Sequence, residues 1–303
     1  MQKFKRWAIA TFILTFLVVI AGGVVRTTQS GMGCPDFPTC FGRWIPPTNA
    51  SELPPDFEKY LHKQDIDHTF NVWHTWIEYS NRLLGALLGV FAIIQVILIY
   101  SRRRENRELY RLAMTFLGLV IATGLFGAVV VKLNLAHLSI SVHLLFAILM
   151  VQVQLAILLV LRSGLFQTGV SKRIKQFIFI FLAVLLVQSV LGTLVRMYVD
   201  DVSKTLHYEQ RENWLASTPV AFLMHRSFSW MVLAAMLFLA WFCRQSEIRN
   251  QVFALLAVVI LNMVAGITLF YAGMPAVAQP IHLLLATIAI TQTVSILLQT
   301  RSR

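Results

Sequence analysis

Charged residues are scarce in this sequence, and their scarcity limits the class of protein that it can encode. Only 13% of the 303 residues are Asp, Glu, Lys or Arg, whereas 57% are hydrophobic. A soluble domain carries about 25% charged residues, and a disordered chain is poorer in hydrophobic residues than this one. Three cysteines are too few for a disulfide-rich secreted scaffold. The composition therefore indicates a membrane protein with several spans.

Apolar segments dominate the rest of the chain. Eight of them are long enough to cross about 30 Å of hydrocarbon as helices of about 20 residues. They lie at residues 7–25, 79–100, 112–131, 138–161, 176–195, 220–242, 251–271 and 277–298. Because a helix satisfies its own backbone hydrogen bonds in lipid, we predict an all-α polytopic membrane protein with eight transmembrane helices.

Acidic residues are also few: the chain has 14 Asp and Glu and 26 Lys and Arg. Its formal net charge is therefore +12. Sixteen of the basic residues fall on one side of the predicted spans: Lys3, Lys5, Arg6, Arg102, Arg103, Arg104, Arg107, Arg111, Arg162, Lys172, Arg173, Lys175, Arg244, Arg249, Arg301 and Arg303. Lysine and arginine concentrate in the cytoplasmic loops of membrane proteins. We therefore expect a plasma-membrane protein with both termini in the cytoplasm, and no nucleic-acid partner.

Short patterns recur in the same order in the two halves of the chain. The recurring pairs are Gly127 to His143 with Gly266 to His282 (the same spacing of 16 residues), Gly22 to Arg26 with Gly192 to Arg196, and Asn81-Arg82 with His225-Arg226. Each half also has four spans, so the repeats run in parallel. We predict two tandem four-helix bundles related by pseudo-two-fold symmetry along the membrane normal. The first covers residues 1–165, with a long outer loop at 26–78, and the second covers 166–303.

Four repeat-related positions form one predicted layer near the outer face of the membrane: Asn81 opposite His143, and His225 opposite His282. At 1.5 Å per residue, they lie roughly 5–8 Å inside their helices. A single intramembrane histidine can simply be a hydrogen-bonded core residue, but ionisable residues inside a membrane are candidates for function. Two neutral imidazoles that face each other across a bundle suit the axial ligation of a heme iron.

Charged residues flank this layer. Arg26, Arg82, Arg196 and Arg226 could either pair with heme propionates or extend to the membrane interface. Glu78 lies four residues before Arg82, so the two share a helix face. The carboxylate could be a structural partner of Arg82 or an acceptor of protons beside a redox group.

Two cysteines lie in the first outer loop. Cys34 and Cys40 face an oxidising compartment, where a disulfide that closes a short loop is expected. Such a bond could be structural, or it could exchange electrons with a substrate or a partner thiol. Both readings stay open at this point.

The sequence resembles the heme A synthase family over nearly the whole chain. The motifs that carry the resemblance are Gly22-Gly23-Val24-Val25-Arg26, Ser30-Gly31-Met32-Gly33-Cys34-Pro35, Cys40-x-Gly42-Arg43, Glu78-Tyr79-Ser80-Asn81-Arg82, His143, Met224-His225-Arg226 and His282. The resemblance implies oxidation of the C8 methyl group of heme O to the formyl group of heme A, which terminal oxidases use. It also implies a heme b cofactor on His225 and His282, and a substrate heme near His143 and Glu78.

Two features depart from the family pattern. Asn81 stands where the family commonly has a histidine, which implies a subgroup whose substrate heme is held by His143 alone. A cysteine pair that some members carry in a later outer loop is absent from residues 196–219. Beside the lipid bilayer and heme O, expected partners are heme O synthase, oxidase assembly factors and further copies of the chain. The competing functions are a di-heme electron-transfer protein and a heme carrier or transporter.

Overall fold

The computed structural model describes residues 1–61, 70–133, 135–162 and 168–302. Within these residues, eight helices are long and apolar enough to cross a membrane. They are α1 (Gln2–Thr27), α3 (Val72–Tyr100), α4 (Arg107–Lys132), α5 (His137–Arg162), α6 (Lys172–Thr205), α7 (Val220–Phe242), α8 (Arg249–Tyr271) and α9 (Ala278–Gln299). A short helix, α2 (Glu58–Leu61), lies in the first outer loop. The prediction of an all-α polytopic membrane protein is confirmed.

Two helices extend well beyond their predicted apolar segments. Helix α3 begins at Val72, seven residues before the expected start, because the side chain of Asn71 accepts hydrogen bonds from the N–H groups of Trp73 (3.0 Å) and His74 (3.3 Å) and caps the helix. Helix α6 continues to Thr205, so its 34 residues are about 51 Å long and exceed the hydrocarbon thickness. Hydropathy marks only the part of a helix that lies in lipid, which explains both differences.

The N-terminal unit, Met1–Gln154, packs α3 between α1 and α4. Polar side chains in the apolar segments donate hydrogen bonds to backbone carbonyls of neighbouring helices. The indole N–H of Trp7 donates to the carbonyl of Phe91 (3.0 Å), and the amide of Gln154 on α5 donates to the carbonyl of Ala8 on α1 (2.9 Å). These hydrogen bonds join α1 to α3 and to α5.

The C-terminal unit, Leu155–Arg303, is a ring in which α6 contacts α7 and α9, and α8 contacts the same two helices. A short parallel ladder joins β1 (Thr168–Val170) to β2 (Thr300–Ser302) and fixes the end of the chain. The predicted boundary after residue 165 and part of the predicted loop 26–78, at residues 62–69, lie outside the described residues. The symmetry between the halves stays a prediction.

Each of the two long loops that are predicted to face outward has a small core of its own. In the first loop, Cys34, Cys40 and Phe41 are buried against Tyr60 and Tyr79. The second outer loop buries Trp214 and Leu215 against Val199 of α6, Phe222 of α7 and Met274. Both loops are therefore folded caps at the ends of the helices that carry the candidate residues.

Candidate functional site

The imidazoles of His225 and His282 face each other inside the C-terminal unit. His225 lies five residues after the start of α7, and His282 lies four residues after the start of α9. Their ring centroids are 6.3 Å apart and the ring planes are nearly perpendicular, at 81°. The pairing predicted from the repeats therefore corresponds to two rings at the same level of one helix bundle.

This separation fits an iron ion between the two rings. A metal–imidazole nitrogen bond of about 2 Å on each side, plus about 1 Å from nitrogen to ring centre, predicts centroids about 6 Å apart. Nδ1 of His282 lies 3.0 Å from the carbonyl of Asn262, and a bond donated to that oxygen would leave Nε2 as the metal-binding atom. Nδ1 of His225 is buried and has no hydrogen-bond partner among the described residues. Nε2 of the same ring lies 3.5 Å from the amide of Gln188 and is the nitrogen that would bind a heme iron.

Glycines provide the space that each histidine occupies. A Cβ atom at Gly192 would lie 3.2 Å from the ring of His225, and one at Gly266 would lie 3.2 Å from the ring of His282. Larger residues at these positions would push the imidazoles out of their facing arrangement. The Gly266–His282 pair was part of the repeat pattern, whereas the contact between Gly192 and His225 was missed by the sequence analysis.

The N-terminal unit repeats part of this arrangement. A Cβ atom at Gly127 would lie 3.5 Å from the ring of His143, which also stacks on Phe126 with centroids 6.5 Å apart. Nδ1 of His143 and Oδ1 of Asn81 are buried without a hydrogen-bond partner among the described residues. A Cβ atom at Gly22, the counterpart of Gly192, would meet nothing within 4 Å. Among the described residues, no side chain contacts Gly22 in the way that His225 contacts Gly192.

Glu78 and Arg82 are joined to the first outer loop. The side chain of Glu78 is buried, with 6% of its surface exposed. Its Oε2 accepts a hydrogen bond from the backbone N–H of Cys34 (2.7 Å), and its Oε1 accepts two from Arg82. Arg82 also donates to three carbonyl oxygens of the loop, at Cys34, Asp36 and Thr39.

The predicted disulfide between Cys34 and Cys40 is present. The loop that it closes lies directly on the first turn of α3, where a Cβ atom at Gly33 would come within 2.3 Å of the carbonyl oxygen of His74. The hydroxyl of Thr75 donates to the carbonyl of Gly33 (3.0 Å). Only glycine permits this approach, so the position of the loop on α3 is fixed by a close backbone contact.

The other candidate arginines differ in their surroundings. Arg196 donates a hydrogen bond to Gln279 on α9 and forms an ion pair with Asp200 (2.8 Å). The guanidinium of Arg226 is exposed and lies 5.7 Å from the ring centre of Phe222. Arg26 lies half-buried in the last turn of α1. Contacts to heme propionates stay a prediction for all three.

Sequence reasoning missed two polar residues beside the histidine pair. The amide of Gln188 donates to the carbonyl of His225 (3.2 Å) and lies 3.5 Å from its ring nitrogen. Asn262 presents its backbone carbonyl to His282. Both are amide residues inside strongly apolar segments, and that isolation was the signal that could have identified them.

Comparison with known proteins assigns the chain to a family. It is 23% identical to the heme A synthase of Flavobacterium psychrophilum, over 95% of each chain. It is 28% identical to the heme A synthase of Orientia tsutsugamushi, over 53% of this chain and 48% of that protein. For the heme A synthase of Alkalihalophilus pseudofirmus the identity is 29%, over 47% of this chain and 41% of that protein. The model of the COX15-CtaA family, described as cytochrome oxidase assembly protein, matches residues 5–294, and the chain belongs to this family.

Proposed function

We propose that this protein is a heme A synthase, which oxidises the C8 methyl group of heme O to a formyl group and so provides heme A for terminal oxidases. Membership of the cytochrome oxidase assembly family and the names of its relatives support the activity. The structural observation that carries the proposal is the facing pair of His225 and His282, 6.3 Å apart. A di-heme electron-transfer protein would need a second pair of this kind, and Asn81 does not provide one.

In this proposal His225 and His282 would be the residues that bind the iron of heme b. The bound heme supplies one-electron chemistry within the membrane. Gly192 and Gly266 keep the two rings in place by close contact, and the carbonyl of Asn262 fixes the orientation of His282. Arg196 and Arg226 are the proposed partners of its propionates, because Arg226 follows His225 on α7 and Arg196 lies one turn after Gly192, the residue of α6 that contacts the His225 ring.

Heme O, the substrate, would be bound in the N-terminal unit. His143 is its proposed iron ligand, and Arg26 is a proposed partner for its propionates. The Asn81 side would remain without a ligand, because asparagine is a poor ligand for heme iron. This arrangement defines a subgroup of the family in which the substrate is held from one face only.

Glu78 is the proposed acid–base residue. Oxidation of a methyl group to an aldehyde breaks C–H bonds, so the released protons need an acceptor close to the reacting carbon. Each oxidation would exchange a C–H bond for a C–O bond, with water or dioxygen as the source of oxygen and an acceptor outside the chain for the two electrons. The geminal diol formed by the second oxidation would lose water to give the formyl group. Glu78 is a buried carboxylate in the helix that carries Asn81, and its Oε2 can accept a proton.

The charge distribution supports a proposed orientation in the plasma membrane. Both termini would be cytoplasmic, and the Cys34–Cys40 loop would face outward, where a disulfide is stable. Heme O synthase and oxidase assembly factors are the proposed partners, since heme O and heme A must be delivered to and from the site. Association between copies of the chain is part of the same proposal.

The function is tested by replacing the proposed base. The variant Glu78→Gln keeps the size and an acceptor oxygen but removes the ionisable carboxylate. We expect bound heme O to persist in cells that supply it, while the heme A fraction falls by about 10²-fold or more. The measurement is separation of the pigments extracted from the purified protein.

The matched control is Glu58→Gln, which changes an exposed acidic residue of the same outer loop and should leave the heme A fraction unchanged. A wild-type protein that contains heme b but never heme O or heme A would refute the synthase proposal. Wild-type levels of heme A in Glu78→Gln would remove Glu78 from the mechanism and leave it as a structural partner of Arg82.

A further inference from the structure

All hydrogen-bond donors of the Arg82 guanidinium group are bonded to other atoms of the protein. An arginine side chain has five N–H donors, and all five make hydrogen bonds here. Nε and Nη2 donate to Oε1 of Glu78 at 3.2 and 2.5 Å, Nη2 donates to the carbonyl of Cys34 at 2.7 Å, and Nη1 donates to the carbonyls of Asp36 at 2.5 Å and Thr39 at 3.0 Å. A heme propionate could bind Arg82 only by displacing one of these partners.

The carboxylate of Glu78 is held almost as completely. A carboxylate accepts hydrogen bonds at about four positions, and two positions of Oε1 are taken by Arg82. Oε2 accepts the backbone N–H of Cys34. Among the described residues, the contacts of Glu78 therefore leave one acceptor position, on Oε2. A base that is fixed at both oxygens presents that position in one direction, which is the orientation that proton transfer requires.

The disulfide closes the part of the chain that supplies the rest of this network. The N–H group that binds Glu78 and the three carbonyls that bind Arg82 all belong to residues 34–39, within the loop that the Cys34–Cys40 bond closes. Arg82 therefore connects the loop to α3, and Glu78 is oriented by both.

We infer that Arg82 is a positioning residue, and that Arg82 and the disulfide-closed loop 34–40 together orient Glu78 so that its Oε2 receives the protons from the substrate methyl group. The inference rests on the proposed function for the step that Glu78 performs. The orientation itself is a property of the folded chain and can be tested without turnover. This role distinguishes Arg82 from the arginines that are proposed to bind propionates.

The first test separates binding from conversion. We expect purified Arg82→Gln to retain heme b and to bind the wild-type amount of substrate heme, while the heme A fraction falls about tenfold or more, because displacement of a base by about 1 Å is this costly. Arg82→Lys should lose less, since its ammonium keeps the charge and three donors but cannot reach the carboxylate and three carbonyls together. The control is Arg43→Gln, an exposed arginine of the same loop that donates one hydrogen bond, to the carbonyl of Glu52.

The second test follows the loop directly. Hydrogen exchange at the backbone amide of Cys34 should be slow in the wild type and in Arg43→Gln, and at least about tenfold faster in Arg82→Gln and in the double variant Cys34→Ser/Cys40→Ser. A triple variant combines Arg82→Gln with Cys34→Ser and Cys40→Ser. Its conversion of heme should be no lower than that of the less active of the two parent variants, because all of these changes open the same network.

Two results would overturn the inference. If Arg82→Gln binds less substrate heme but converts normally what it binds, Arg82 is a propionate ligand. If both conversion and the exchange rate at Cys34 are unchanged, Arg82 does not orient Glu78. If the wild type itself forms no heme A, the proposed function fails, while the exchange rates still decide whether Arg82 and the loop fix the carboxylate.

Discussion

His225 and His282 are held by different contacts, although their rings form one pair. The carbonyl of Asn262 orients His282, whereas Gln188 contacts both the backbone and the ring of His225. With either histidine removed, one face of the proposed heme b loses its ligand. We therefore expect His225→Ala and His282→Ala each to lose the low-spin b-type absorption spectrum and most of the bound heme b, measured on the purified protein.

A histidine outside the helix bundle provides the control for this prediction. His207 is exposed in the second outer loop and has a φ of 50°, a backbone conformation that asparagine tolerates. His207→Asn should keep the full spectrum. An unchanged low-spin signal in both alanine variants would contradict the assignment of the pair as heme ligands.

Asn81 offers the opposite experiment, because it stands where the family commonly has a histidine. Gly22 has no neighbour within 4 Å of a Cβ position, whereas the equivalent Gly192 is filled by His225. We expect Asn81→His to fold and to add a second protein ligand to the iron of the substrate heme, which becomes six-coordinate. The absorption spectrum should then change to a low-spin type. Asn81→Ala is the control, since it removes the amide without adding a ligand. A spectrum that is the same in both variants would show that position 81 does not face the iron.

The facing pair of His225 and His282 could be predicted from the sequence because its signal is local. Each of these residues lies a few positions inside an apolar segment, and the spacing to a glycine recurs in both halves. The partners of Arg82 could not be predicted in this way. Three of them are backbone carbonyls 43 to 48 residues away, and no periodicity within α3 reports contacts with a loop.

At the scale of elements, the centres of the helices were predictable and their ends were not. Eight apolar segments correspond to eight helices, because hydrocarbon demands both apolar side chains and internal backbone hydrogen bonds. The end of α6 is determined outside lipid, where an ion pair between Arg196 and Asp200 and packing of Val199 on Trp214 continue the helix. Such contacts depend on the folded loop, so hydropathy does not detect them.

The early start of α3 has a consequence for the candidate site. Because the helix begins at Val72, Asn81 lies nine residues, or about 14 Å, from its first residue, instead of close to the start as the apolar segment suggested. Glu78 and Arg82 consequently lie on a continuous helix whose first two turns pack against the disulfide loop. The loop can reach the carboxylate because this part of α3 extends beyond the predicted apolar segment.

At the scale of the whole molecule, eight spans predict that both termini lie on one side of the membrane, and the basic residues predict that this side is the cytoplasm. The sequence repeats predicted two halves, and the chain divides into the units Met1–Gln154 and Leu155–Arg303. Within each unit, one histidine at least is placed against a glycine of a neighbouring helix. The orientation of the chain in the membrane depends instead on the charges of the loops. The packing of the helices does not reveal it.

The orientation can be measured with thiols introduced on the two sides. Native cysteines do not interfere, because Cys34 and Cys40 form a disulfide and Cys243 is buried, which raises the pKa of its thiol and keeps the reactive thiolate scarce at neutral pH. We expect a membrane-impermeant maleimide to label Ser51→Cys in intact cells.

An introduced thiol at the opposite end of α3 completes the comparison. Arg104 is exposed in the basic connection between α3 and α4, so Arg104→Cys should react only after the membrane is permeabilised. The unmodified protein, treated in both ways, gives the background from Cys243. Labelling of Arg104→Cys in intact cells, with Ser51→Cys protected, would reverse the topology. The Cys34–Cys40 loop and the carboxylate that it orients would then face the cytoplasm, where a disulfide is normally reduced.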